Sequence, residues 1–294
     1  MTENQFLLND RVQKIRQIYK DYDLENTSYI SFSGGKDSTA LSALIDFACP
    51  NNKIPRVFCN TGLEYKELVN FVREKAKNDE RFIEIHPTCN IREMLETEGY
   101  PFKSKEYAHK LNLLKNGTNS PNVKKYFHIT DGASRGFSCP KILQYQATNN
   151  IGFKISDLCC QRLKKDPCNL WSRQNNRTTA ILGIRNAEGG QRRNVKNCLA
   201  FKNDKLKHFS PLLVCSDDFM EWLTNELNIV YCKLYYSPYN YTRTGCKGCP
   251  FSLTVQSELE KMERYFPAER KQCEIIFGKV YDEYRRINYR IKNK

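Results

Sequence analysis

The stretch SYISFSGGKDSTALSALIDFA, from Ser28 to Ala48, limits the available folds more than any other part of the chain. It opens on a short strand pattern over 28–32. It closes on a helix pattern over 37–48, where Ala40, Leu41, Leu44, Ile45 and Ala48 fall at helical spacing. Only Ser33, Gly34, Gly35 and Lys36 stand between the two. So short a connection needs glycine to curl the backbone, and it aims the unsatisfied N–H groups of the helix start back at the end of the strand.

The alternation continues. RVFCN (56–60) reads as a second strand, EYKELVNFVREKAK as a helix with Leu68, Val69 and Val72 on one face, and RFIEIH (81–86) as a third strand. Residues 9–20 read as an amphipathic helix ahead of them. Strands alternating with helices call for right-handed crossovers, so the expected class is α/β: a doubly wound, mostly parallel sheet with helices on both faces. Ligands of such sheets sit beyond the carboxyl ends of the strands. Residues 100–150 break the rhythm with the turn-rich KNGTNSPN and TDGASRG, and read as a partly helical insertion able to lid the site. TTAILGI (178–184) is a β-branched strand, 217–227 a helix with Asp217 near its start, and SPYNYTRTGCKGCP a turn-rich loop. The expected organisation is one domain over 1–256 carrying the insertion, then a helical extension over 257–294 interrupted at Pro267. There is no internal repeat.

In Ser33-Gly34-Gly35-Lys36-Asp37-Ser38 the glycines let successive N–H groups face one point, and the following helix brings its positive dipole end there. Ser33 and Ser38 add hydroxyls. Lys36 either adds charge or points to solvent, and Asp37 either caps the helix or holds a cation such as Mg²⁺ beside phosphates. The plain alternative is a turn and N-cap with no ligand. The loop lacks the Gly-x-x-x-x-Gly-Lys-Ser/Thr of a Walker A sequence. It resembles the PP-loop of the adenine nucleotide α-hydrolase-like superfamily. The resemblance implies an adenine nucleotide held by its charged end, either the pyrophosphate of ATP or the phosphosulfate of PAPS or APS.

Four further segments narrow the resemblance to the PAPS/APS reductase family. CNTGLEYKELVNF is similar to that family's Asp-Thr-Gly segment, with Asn60 in the Asp position and Thr61 and Gly62 turning toward the ligand. LCCQRLKKDPCNLW resembles its Cys-Cys-x-x-x-Lys-x-x-Pro, here Cys159, Cys160, Lys164 and Pro167. GIRNAEGGQRR resembles its Gly-x-Arg-x-x-(Glu/Gln)-x-x-x-Arg, on Gly183, Arg185, Glu188 and Arg192. RTGCKGCPF supplies Cys246 and Cys249. The likeness runs from about residue 27 to 252. It implies that Arg185 and Arg192 clamp anionic oxygens, a task suited to planar guanidinium. It also implies that Cys159, Cys160, Cys246 and Cys249 hold a 4Fe–4S cluster, with Lys164 tuning the site. The alternatives are structural zinc on the same thiols or no metal at all, and Cys168 or Cys198 could replace one of the Cys-Cys pair.

Composition agrees without deciding. Lys and Arg outnumber Asp and Glu by 47 to 33, a net charge of +14 that suits nucleotides, phosphates or nucleic acid. Thirteen cysteines, an odd number, argue against a fully paired disulfide framework. Cys49, Cys59, Cys89, Cys215 and Cys232 read as small core residues. No apolar run approaches the roughly 20 residues of a membrane helix. The opening MTENQFLLNDRVQK lacks a secretory pattern, so the expected location is the cytoplasm.

One element of the reductase pattern is absent: the C-terminal Glu-Cys-Gly-(Leu/Ile)-His segment that supplies the attacking thiolate. The only late cysteine is Cys273. It is either a nucleophile activated by Arg270 and Lys271, or a half-buried structural residue packed with Ile276 and Phe277. Three functions follow from the resemblance. The first is a sulfonucleotide reductase, an oxidoreductase drawing on a thiol reductant such as thioredoxin. The second is an ATP-using sulfurtransferase that modifies nucleic acid. The third is a nucleotide-binding iron–sulfur sensor without turnover.

Overall fold

The computed structural model of the chain describes residues 1–131 and 138–292; most of the TDGASRG turn lies outside them. The described residues gather into two units. One is Met1–His86 with Pro167–Gly245, and the other is Pro87–Asp166 with Cys246–Lys294.

The first unit is built on a six-stranded sheet. Its strands are β1 (Ser28–Phe32), β2 (Arg56–Cys59), β3 (Phe82–Ile85), β4 (Thr179–Ile181), β5 (Leu199–Lys202) and β6 (Lys205–Phe209). Their spatial order is β3-β2-β1-β4-β6-β5, all parallel except for the β5–β6 pair. Four labelled helices accompany the sheet: α1 (Glu3–Asp21), α2 (Lys36–Ala48), α3 (Lys66–Asn78) and α4 (Asp217–Glu226).

Both faces of the sheet are covered, as the doubly wound pattern requires. Phe32, Phe58, Val69 and Val72 form a core under α3, with Phe71 and Phe82 packed on it. Tyr29, Val57 and Ala180 form another with Trp171 and Leu182, the Tyr29 and Trp171 rings meeting at 5.5 Å. Tyr29 and Phe32 are an odd number of residues apart and so point to opposite faces. β1 pairs with β2 on one side, Ile30 opposite Arg56, and with β4 on the other, Ser28 opposite Thr179. The order of the sheet therefore reverses at β1, and the Ser33–Ser38 loop leaves the sheet at that switch point.

Two features were not anticipated: the early start of the first helix, read over 9–20, and a hairpin. α1 begins at Glu3 because Thr2 and Gln5 form a capping box, the Gln5 N–H giving to Thr2 Oγ1 at 3.2 Å and the Thr2 N–H to Gln5 Oε1 at 2.9 Å. β5 and β6 form a hairpin across Asn203 and Asp204, both left-handed at φ 51° and 58°.

The second unit is helical. A helix at Ile91–Glu98 precedes the insertion, which holds helices at Lys105–Lys115, Pro121–Tyr126 and Lys141–Thr148. The tail holds Val255–Tyr265 and Pro267–Arg286, with Pro267 in the first turn of its helix, where a missing N–H costs nothing. Insertion and tail share one aromatic core: the Phe102 and Tyr284 rings meet at a tilt, centroids 4.6 Å apart, and Tyr284 Oη accepts from the Lys103 N–H at 2.7 Å. No helix among the described residues is long and apolar enough to cross a membrane.

Candidate functional site

The loop at the switch point is held from three sides. Gly34 has φ +71°, and a Cβ there would meet Leu68 Cδ1 at 3.0 Å and Val72 Cγ2 at 3.2 Å, so α3 presses directly on the bend. Gly183, at the end of β4, would place a Cβ 3.0 Å from the Asp37 carbonyl and 3.1 Å from the Ser38 nitrogen. Inside the loop, the Ser33 N–H gives to Ser38 Oγ at 3.2 Å and the Gly35 N–H to Ser33 Oγ at 3.3 Å. The two serine hydroxyls lie 3.0 Å apart. Gly35 is the N-cap of α2 and offers no side chain to cap it, which leaves the first turn's amides to a ligand or to neighbouring side chains.

Asp37 turns sideways to an arginine. Its Oδ1 accepts from Arg185 Nε at 2.7 Å, while Arg185 Nη1 gives to Asp217 Oδ1 at 2.8 Å and to the Cys215 carbonyl at 3.3 Å. Burial works against the Arg185 charge, yet Asp37 and Asp217 outweigh it and hold its pKa above the ordinary value. Arg192 reaches the same region through Glu188, which it shares with Arg243 (3.0 Å). Lys36, Asp37, Arg185, Glu188, Tyr235 and Arg243 are among the residues lining a cleft of about 720 Å³. Met220, Thr224 and Asn225 of α4 and Tyr236 line it as well.

At the end of β2, Thr61 and Gly62 form the expected second turn. The Thr61 N–H and hydroxyl both give to Glu64 Oε2 at 2.8 Å, and Gly62 has φ +79°. Asn60 accepts from the Gly62 N–H at 3.1 Å and gives its amide hydrogen to Glu84 Oε1 at 2.7 Å. That explains the departure from Asp: a carboxylate there would face a second carboxylate across the same gap. Tyr235, Thr244, Asp217 and Arg243 were not anticipated as site residues. Each reaches the site from a distant turn or helix end with no local signature of its own.

In the second unit, Cys159 and Cys160 precede a π-helical turn (Gln161–Lys165), and Cys246 and Cys249 lie on the Cys-Lys-Gly-Cys turn. Burial pushes the Cys159 thiol far up, and the negative charges of Cys246, Cys160 and Cys249 add to it while Lys164 opposes. Cys249 is pushed up to about 12 by burial and then by Cys246. Burial favours the neutral thiol at Cys159 and Cys249, and the four cysteines are of the donor type that a soft metal or cluster takes. Among the described residues, no three His, Cys, Asp or Glu side chains stand at ligand spacing.

The helix Pro267–Arg286 backs the cysteine turn. Tyr281 Oη gives to the Gly248 carbonyl, Tyr284 Oη to the Pro250 carbonyl at 2.9 Å, and Cys273 Sγ to the Lys247 carbonyl at 3.5 Å. Gly248 has φ +60°, and a Cβ on it would stand 2.9 Å from Cys273 Sγ. Cys273 is wholly buried, and burial pushes its thiol up to about 12.

An uncharacterised protein of Methanocaldococcus jannaschii is 32% identical over 140 residues, 43% of this chain and 32% of that protein, so the chain spans about a third of that relative's length. Among solved structures, the PAPS reductase of Candida auris in its phosphate complex is similar at a TM-score of 0.42 and 14% identity, over 75% of this chain and 81% of that one. The U34-tRNA thiolase of Methanococcus maripaludis, solved with its 4Fe–4S cluster, is similar at a TM-score of 0.39 and 16% identity, over 97% and 80%. The sequence profile of the phosphoadenosine phosphosulfate reductase domain matches residues 27–252, and the chain belongs to that family.

Proposed function

We propose that this chain is an adenine-nucleotide-dependent enzyme of sulfur chemistry, with the anionic end of its nucleotide held on the Ser33–Ser38 loop. The observation that carries the reading is the pinned start of α2. Gly34 and Gly183 admit α3 and backbone to close contact there, and the helix start, which has no side-chain N-cap, adjoins a cleft lined by Lys36, Asp37 and Arg185. Such donors are fixed before the ligand arrives, so none of the binding energy goes into arranging them.

Of the two chemistries the family resemblance implies, ATP-driven sulfur transfer is better supported than sulfonucleotide reduction. Reduction requires a thiolate that reaches the sulfur of the nucleotide. Cys273 is wholly buried and bonded to the Lys247 carbonyl behind the cysteine turn, which favours the structural role for it. For transfer, an acceptor oxygen attacks the α-phosphorus of ATP, the bond to the β-phosphate oxygen breaks, and pyrophosphate leaves with its charge held by the loop, Lys36 and Arg185. A sulfur donor then displaces AMP. Mg²⁺ would accompany ATP, and the net charge of +14 supports a nucleic-acid acceptor.

Cys159, Cys160, Cys246 and Cys249 would hold a 4Fe–4S cluster, or zinc in its place. The cluster, when bound, would supply a charged, polarisable centre for sulfur chemistry. Lys164 would balance thiolate charge there.

The test is product analysis. Anaerobically purified protein is incubated separately with ATP and with PAPS, plus a thiol reductant. Pyrophosphate from ATP supports transfer. Sulfite from PAPS, lost in Cys273→Ser, would restore the reductase. Binding with neither product would leave the nucleotide sensor.

A further inference from the structure

We propose that Tyr235 is a placeholder for the anion: its hydroxyl holds the Lys36 amide until a phosphate oxygen displaces it, and so it sets how tightly the loop takes its ligand. The inference rests on the anion-binding reading of the Ser33–Ser38 loop and adds a residue to it from outside the family's sequence pattern.

Three amides of the loop already have partners, and all three partners are neutral hydroxyls. The Ser33 N–H gives to Ser38 Oγ at 3.2 Å, the Gly35 N–H to Ser33 Oγ at 3.3 Å, and the Lys36 N–H to Tyr235 Oη at 3.3 Å. These are long bonds, at or past the weak end of the N–H···O range. An oxyanion accepts from the same donors roughly twice as strongly. Exchange of hydroxyl for phosphate oxygen is therefore favourable, and its cost is whatever the displaced hydroxyl loses.

Ser33 and Ser38 are part of the loop and can turn about χ1. Tyr235 is different. It sits on a separate turn (Lys233–Tyr235), its ring is buried, and its hydroxyl also bonds Thr244 Oγ1. Lys36 Nζ lies 5.1 Å from the centre of that ring. A Cβ on Gly35 would stand 3.5 Å from the Tyr235 hydroxyl, so the phenol tip fills the space over the loop where an anion oxygen would approach. Burial pushes the phenol up to about 12, so the tip stays uncharged and does not repel the incoming anion. When displaced it keeps Thr244 as a partner, and the ring still supports Lys36.

The experiment compares inorganic pyrophosphate binding, by titration calorimetry, to wild-type protein and Tyr235→Phe. Phenylalanine keeps the ring beneath Lys36 and removes only the competing oxygen. Pyrophosphate should bind about 3- to 10-fold tighter, the factor that goes with one neutral hydrogen bond. In Thr244→Val the hydroxyl loses its anchor; a smaller tightening in the same direction is expected, and this variant carries the test if Tyr235→Phe fails to fold. Wild-type binding with unchanged or weaker binding in the variants overturns the placeholder and leaves the anion site standing. No pyrophosphate binding by any of the three proteins overturns both. Binding by Tyr235→Phe alone supports both.

Discussion

Gly183→Ala tests whether the end of β4 sets the start of α2. The added methyl carbon would lie 3.0 Å from the carbonyl carbon and oxygen of Asp37 and 3.1 Å from the Ser38 nitrogen. All three are backbone atoms, so no rotamer change clears the contact. Gly183 has no positive φ that would strain alanine, which leaves volume as the only perturbation. Overpacking of this kind costs about 1–3 kcal/mol. Relief comes from moving the first turn of α2, and that turn carries the amides proposed to receive the anion. Losing the alignment of one charge-assisted hydrogen bond, about 1.5–3 kcal/mol, weakens pyrophosphate binding roughly 10- to 100-fold. The two tryptophans, Trp171 and Trp222, both lie in the unit that holds the loop, so urea unfolding followed by their fluorescence reports on that unit. Gly35→Ala is the control. Its Cβ meets Ser33 Oγ at 3.2 Å and Tyr235 Oη at 3.5 Å, both ends of side chains, so its stability cost should be smaller. Wild-type stability and wild-type pyrophosphate affinity in Gly183→Ala would refute the reasoning.

Asn60→Asp should cost about 1–3 kcal/mol at pH 8, because Glu84, held ionised by Arg73, would face a second carboxylate. The loss should shrink as the pH falls toward about 5 and one carboxyl takes up a proton to donate; a loss independent of pH would contradict the Asn60–Glu84 account. Cys246→Ser should lose bound iron or zinc, and with iron the absorbance near about 400 nm, in protein purified anaerobically, whereas Cys49→Ser should keep both. Full metal content in Cys246→Ser would remove that residue from the donor set. Burial pushes the Cys215 thiol from an ordinary 9.0 up to about 11. The folded state therefore keeps a proton that the unfolded chain gives up. Its contribution is full below pH 9 and lost as the pH rises toward 11, on the order of 1–2 kcal/mol. Cys215→Ala should flatten unfolding free energy against pH across that window, and an unaltered slope would count against the assignment.

The parts of the fold that local pattern dictates were legible. β1, the glycine turn and α2 declared themselves because apolar spacing switches from strand to helix across four residues that only a tight turn can join. Pro267 marked a helix boundary for the same kind of reason. Two misses were of local signals passed over: the Thr2–Gln5 capping box that starts α1 early, and the Asn203-Asp204 turn that makes a hairpin of β5 and β6. Patterns of polar residues at fixed offsets carry less weight to the eye than apolar periodicity, although the physics behind them is as definite.

The candidate site divides along a different line. Its backbone could be anticipated, since Gly34 and Gly62 take a positive φ at their turns and Gly183 leaves room for the backbone of Asp37 and Ser38. Its side-chain roles could not, because each is decided by a partner far along the sequence. Asp37 looks like a cap or a metal ligand until Arg185, 148 positions on, claims its carboxylate. Lys36 looks like a phosphate-binding charge until Tyr235, 199 positions on, takes its amide and supports its ammonium. Both distant residues act on the first turn of α2, from opposite chemistry: Arg185 neutralises a carboxylate that would repel an anion, and Tyr235 keeps a donor satisfied until an anion arrives. On the proposed reading, a loop assembled in this way would be kept open for a negative ligand by residues that never appear in the loop's own sequence. That is why its hexapeptide alone identifies the site but not how strongly it binds.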